Sequence, residues 1–133
     1  MGYILDTNII FYLLKNNQTV KQSLKNVEFL GEKIFISCIT VYEIKRGLIA
    51  VNAVKQLADF NKLCQDYQLL FLDTSEIIDR AAEIHADLKI RGLPIQTEDI
   101  LIAASALAGG LIVVSNDSDL LRVKELIVEN WLL

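Results

Sequence analysis

In Glu98–Asp117, EDILIAASALAGGLIVVSND, a helix, a stop and a strand follow one another without interruption. After Asp99 the residues are apolar all round, and Ala103, Ala104, Ala106 and Ala108 allow neighbouring elements to approach closely, as in a buried helix. Gly109-Gly110 ends it, because glycine takes the left-handed backbone that a helix C-terminus needs. Leu111–Val114 then reads as a strand without polar alternation, the pattern of a strand covered on both faces. An all-buried helix feeding a doubly covered strand belongs in a parallel α/β sheet. One acid, Asp99, stands in the first turn of that helix, and another, Asp117, just past the strand.

The rest of the chain repeats this grammar. Apolar runs at Tyr3–Leu5, Lys33–Ser37, Leu69–Leu72 and Leu126–Val128 join Leu111–Val114 as predicted strands. Helical periodicity fills the intervals at Thr7–Leu14, Val20–Phe29, Val41–Ile49, Ala53–Tyr67, Ser75–Arg91 and Glu98–Ala108, with a short helix near Ser118–Arg122. Alternation of this kind implies right-handed crossovers. The expected fold class is a three-layer α/β/α sandwich around a mainly parallel sheet of about five strands.

The chain has 133 residues, with 53% of them hydrophobic, one Pro and six Gly, which leaves little room for a linker. Residues 1–133 therefore read as a single domain. No basic, then apolar leader opens it, and the longest uncharged apolar run, Ile100–Val114, is too short for a membrane span and is broken by its glycine pair. Cys38 and Cys64 are isolated and His85 is the one histidine, so neither a zinc site nor a disulfide framework is expected. These features together read as a cytoplasmic, reduced protein without membrane attachment. The formal charge of −4 argues against a non-specific nucleic-acid binder. An anionic substrate would need a local cation.

Open parallel sheets bind ligands beyond the carboxyl ends of their strands, where strand order reverses. Asp6 directly follows the first strand and Asp117 the fourth, with Asp119 close behind. Asp99 heads the helix leading into the fourth strand. Glu43 lies one turn into the helix after the second strand. If the first strand sits between the second and fourth, these acids share one crevice. Each also has a local reading. Asp6 can cap the helix starting at Thr7, Thr40 and Glu43 can form a capping box, and Asp117 or Asp119 can cap the short helix after them. Jointly, three or four carboxylates in one crevice raise one another's pKa unless a cation intervenes. An oxygen-rich set without His or thiolate suits Mg²⁺, with Mn²⁺ as substitute, and such a site supports phosphodiester hydrolysis.

The blocks YILDTNIIFYLL, ISCITVYEIKRG, IQTEDILIAASALAGGLIVVSNDSDL and LIVENW, in this order over nearly the whole chain, resemble the PIN-domain ribonucleases, and most closely the VapC-type toxins of toxin–antitoxin pairs. The resemblance implies a metal-dependent endoribonuclease whose catalytic acids are Asp6, Glu43, Asp99 and Asp117, with Asp6, Asp99 and Asp117 on the metal. It implies support from Thr7, Asn8 and Ser115, with Asp119 able to join the site; the choice between Asp117 and Asp119 as fourth acid stays open. Leu120 departs from the phenylalanine frequent in the family. Implied partners are an RNA substrate, a cognate antitoxin lying across a groove near the site, and a second copy in a homodimer. IIFYLL and the surface of VYEIKRGLI are candidates for the groove, and Lys45 and Arg46 for contacts to RNA phosphates.

Three other readings compete with this one. A receiver-like domain phosphorylated on Asp73 lacks the lysine needed at the end of its last strand, where Glu129-Asn130-Trp131 stands. A catalytically silent PIN fold serving as a binding module would be expected to have lost an acid, and none of the four positions is empty. A PIN nuclease of RNA processing commonly carries further modules.

Overall fold

The computed structural model describes residues 1–133. Its elements in chain order are β1 (Gly2–Leu5), α1 (Thr7–Leu14), α2 (Gln18–Phe29), β2 (Lys33–Ser37), α3 (Cys38–Ala50), α4 (Val54–Asp66), β3 (Gln68–Leu70), α5 (Ser75–Ile90), α6 (Thr97–Gly109), β4 (Ile112–Val114), a 3-10 helix (Ser118–Arg122) and β5 (Val128–Glu129). The sheet has five strands in the order β3-β2-β1-β4-β5, and every pairing is parallel. β1 is central, flanked by β2 and β4, so strand order reverses beside it.

Alternation along the strands explains the three layers. On β1, Ile4 points into one core and Leu5 into the other, and Val113 and Val114 divide in the same way on β4. The first core packs helices α1 to α4 on one face through Ile9, Ile10, Val20, Leu24, Ile44 and Phe60. The second packs α5 and α6 on the other through Ala81, Leu88, Ile102, Ala103, Ala104 and Ala106. Ala103, Ala104 and Ala106 of α6 are sealed from solvent, as the apolar stretch after Asp99 predicts, while Ala108 near its end is partly buried. Gly110, with φ 64° and ψ 36°, supplies the expected left-handed stop.

Most boundaries fall within two residues of the sequence reading. The exception that matters is α3. It begins at Cys38, because Ser37, the last residue of β2, caps it by accepting from the Ile39 N–H at 3.1 Å. Strand and helix therefore share a boundary with no connecting loop, and Thr40 lies inside the helix. The capping box expected between Thr40 and Glu43 does not form.

Candidate active site

β1 delivers Asp6 to the switch point with its backbone still in the sheet, its N–H donating to Val114 O at 2.9 Å. The side chain is 3% exposed. Its Oδ1 accepts from the Thr7 N–H at 2.8 Å; its Oδ2 accepts from Ser115 Oγ at 2.7 Å and Asn8 Nδ2 at 3.2 Å. The local reading holds: the carboxylate caps α1, and its charge and that of Asp117 act on each other across the strand ends. Burial pushes the Asp6 carboxyl above its ordinary value, outweighing these three hydrogen bonds, and the charge of Asp117 adds to the rise.

Ser115 and Asn8 tie β4 to β1. Besides donating to Asp6, Ser115 Oγ accepts from the Asp117 N–H at 2.9 Å, which fixes the turn after β4. Asn8 Nδ2 also reaches Ser115 Oγ at 3.3 Å, and Asn8 Oδ1 accepts from the Asn116 N–H at 3.0 Å. Thus Asn8 and Ser115 touch Asp6 directly, and Thr7 does so through its backbone.

Asp99 is the point of convergence. Carboxylate oxygens of Asp99, Asp117 and Asp119 lie within 4.8 Å of one another. Asp6 and Glu43 stand outside this triad, yet both act on Asp99. Burial first, then the charges of Asp6, Asp117, Glu43 and Asp119, push its carboxyl up to about 7. Asp117 Oδ1 caps the 3-10 helix, accepting from the Asp119 N–H at 2.9 Å. Asp119 Oδ1 is paired with Arg122 at 3.1 Å, and Arg122 also donates to Pro94 O at 3.0 Å. That partner went unnoticed in the sequence, although the spacing of three residues in a short helix would have offered it.

Glu43 is held from outside its own helix. Thr7 Oγ1 donates to Glu43 Oε1 at 2.9 Å, and lies 3.3 Å from Thr40 Oγ1. Thr7 thereby links α1 to α3, and the hydroxyl of Thr40, buried against it, serves this contact rather than a cap. Of the two basic residues singled out on α3, Arg46 stays at the site: its guanidinium lies 4.0 Å from Glu43 Oε2 and 5.2 Å from the centre of the exposed Tyr42 ring. Lys45 is half-buried and pairs with none of the acids, and its charge partly offsets the rise that burial causes in the Cys64 thiol of α4. Asp73 follows the edge strand β3 and takes no part in the carboxylate group.

The donor set fits a hard divalent cation. It offers carboxylate oxygens alone, three of them within one small volume, with no imidazole or thiolate among them. A carboxyl pushed up to about 7 by burial first and by its neighbours' charges next is one that a cation would ionise.

The PIN domain family matches residues 3–126. The chain belongs to the PIN-domain family, in its VapC-type branch. Ribonuclease VapC2 of Rickettsia felis is 33% identical, with 98% of each chain covered. The tRNA(fMet)-specific endonuclease VapC of Salmonella typhimurium is 28% identical, again over 98% of both. Among solved structures, that of VapBC2 from Rickettsia felis bound to a DNA fragment from their promoter superposes with a TM-score of 0.91 at 25% identity, over 98% of this chain and 99% of that one. The overall architecture is thus shared with that VapBC2 structure. No helix here is long and apolar enough to cross a membrane.

Proposed function

We propose that this PIN-domain chain is a VapC-type toxin, a Mg²⁺-dependent endoribonuclease that also accepts Mn²⁺, acts in the cytoplasm and is neutralised by a cognate antitoxin. The observation that carries the reading is the convergence of Asp99, Asp117 and Asp119, whose carboxylate oxygens lie within 4.8 Å of one another, about a carboxyl that burial first and then the charges of four neighbouring acids push up to about 7. Such mutual repulsion is costly unless a cation relieves it.

Asp6, Asp99 and Asp117 hold the cation, with Asp119 completing the group from the Arg122 side. When bound, a divalent cation offsets charge growing on the phosphate oxygens and makes water a better nucleophile. Glu43, its Oε1 fixed by Thr7, uses Oε2 to orient the attacking water and take its proton. The oxygen of that water forms a bond to phosphorus as the P–O3′ bond breaks, and the departing 3′ oxygen gains a proton. The products carry a 5′-phosphate and a 3′-hydroxyl. Arg46, exposed beside Glu43, offers positive charge to an RNA phosphate; in an acidic protein this local charge is needed.

Relatives named as ribonucleases support RNA as the substrate class. A neighbour solved as VapBC2 on promoter DNA supports a protein partner, the antitoxin, and a homodimer accompanies it in this reading. Tyr42 and Ile49 on α3 are each 61% exposed and form part of the surface proposed for the antitoxin. On α1, by contrast, Ile9, Ile10 and Leu13 are buried in the core, so IIFYLL contributes mainly to packing.

The test is incubation of total cellular RNA with the protein and Mg²⁺, followed by mapping of new ends. Cation-dependent fragments with 5′-phosphates, absent with Asp6→Asn or Asp99→Asn, are expected. The same fragments from either variant, or 5′-hydroxyl ends, would overturn the assignment.

A further inference from the structure

The closing block LIVENW takes no part in the chemistry described so far, yet its asparagine reaches the acids through the Asn116 side chain and backbone and then the Asn8 side chain. Asn130 Oδ1 accepts from the Leu132 N–H at 3.0 Å. A backbone N–H can only donate, so the amide is oriented unambiguously and its Nδ2 faces Asn116, donating to Oδ1 at 3.0 Å. The same logic runs one step inward. The Asn116 N–H donates to Asn8 Oδ1, which turns Asn8 Nδ2 onto Asp6 Oδ2 and Ser115 Oγ. Three asparagines thus connect the end of β5 to the buried carboxylate at the end of β1. Asn116 also occupies the turn between Ser115 and Asp117, so whatever holds it holds Asp117.

The outer end of this chain is anchored firmly. Ser115 N–H donates to Glu129 O at 2.9 Å, continuing the β4–β5 ladder into the site. Trp131 is 6% exposed, its ring centre 5.8 Å from that of Tyr3, and its Nε1 donates to Glu129 Oε1 at 3.1 Å. A rigid last segment is the kind of support that outer partners of metal ligands require.

We propose that Asn130 is a positioning residue of the cation site, acting through Asn116 and Asn8 to hold Asp6 and the Ser115–Asp117 turn in ligand geometry. This rests on the cation-site reading above. All three links are uncharged, so removing one changes ligand geometry without changing the site's charge. Their bonds to one another are solvent-exposed and contribute little to folding, which separates a positioning role from a structural one.

The experiment is calorimetric titration with Mn²⁺ of the unaltered chain, Asn130→Ala, Asn116→Ala, the double variant and a control, Asn26→Ala on the exposed face of α2. Each of the first two variants should bind about tenfold more weakly, the low end for the loss of an outer partner, at an unchanged thermal midpoint. The double variant should lose no more than either single one, as expected of residues acting in series. Asn26→Ala should match the unaltered chain. If Asn130→Ala disturbs folding, Asn116→Ala decides alone, since it leaves the Leu132 contact intact. Undiminished binding in Asn116→Ala, or losses that multiply in the double variant, would overturn the proposal. Absence of Mn²⁺ binding in the unaltered chain would instead remove the cation site itself, and this proposal with it.

Discussion

Among the carboxyls, Asp99 is the one pushed furthest from its ordinary value. Its carboxyl, at about 7, holds its proton more tightly in the folded chain than in the unfolded one. Stability then falls with rising pH wherever the native state binds more protons, so the metal-free protein should lose stability between about pH 4 and pH 7. Buried Asp6, raised in the same direction, adds to the loss. Asp99→Asn removes this repulsion. It should raise the melting temperature of the chelator-treated protein at pH 8 by about 3–5 °C, the effect of ~1 kcal/mol in a chain this size, solvent screening having reduced the repulsion. Melting curves of both proteins check this; a variant less stable than the unaltered chain would contradict it. Glu43 supplies a second prediction at this scale. Since Ser37 and not a Thr40–Glu43 box caps α3, Glu43→Gln should melt within about 2 °C of the unaltered chain, while RNA cleavage falls about 10²–10⁴-fold, the range for a lost acid–base group. A large drop in melting temperature would restore the capping role.

At the scale of elements, Ser37 is the residue on which β2 ends and α3 begins, and it is fully buried. Ser37→Ala should destabilise the fold by about 1 kcal/mol, the usual cost of a lost cap, measurable by urea unfolding; no change would mean that the Ile39 N–H is satisfied otherwise. The same junction marks the limit of what could be read beforehand. The all-apolar helix ending in Gly109-Gly110 and the strands on either side were legible, because periodicity and glycine conformation are local. The start of α3 was not. Ser37 and Thr40 are both good caps, and the choice depends on Thr7, brought from another element, which engages both Glu43 and Thr40. Asn8 was legible, but the pairing of Arg122 with Asp119 was not, since a chain with 13 Lys and Arg residues marks none of them as the partner of a given acid, and Asn116 and Asn130 meet only once β4 and β5 lie side by side. By contrast, the acids themselves were legible, since each stands at or soon after a strand's carboxyl end or in the first turn of the buried helix.

For the whole molecule, the order β3-β2-β1-β4-β5 is what brings the acids proposed for the site from distant parts of the chain to the same end of the sheet. Two cores clamp the sheet from both faces, so the crevice at its carboxyl end is held without a cation, and a cation binding there should add to stability by mass action. The net charge of −4 then makes sense in a protein proposed to act on RNA: positive charge is borrowed at the site rather than spread over the surface. The most direct test of this claim is calorimetric titration of Mn²⁺ into the unaltered chain and into Asp6→Asn at pH 8, at matched folding. It requires no knowledge of which RNA is cut. Saturable binding by the unaltered chain, at least tenfold weaker in Asp6→Asn, is the result that a carboxylate cation site requires. Equal binding by both, or none by either even with a phosphate-containing oligonucleotide present, would contradict it and leave Asp6 as a helix cap alone.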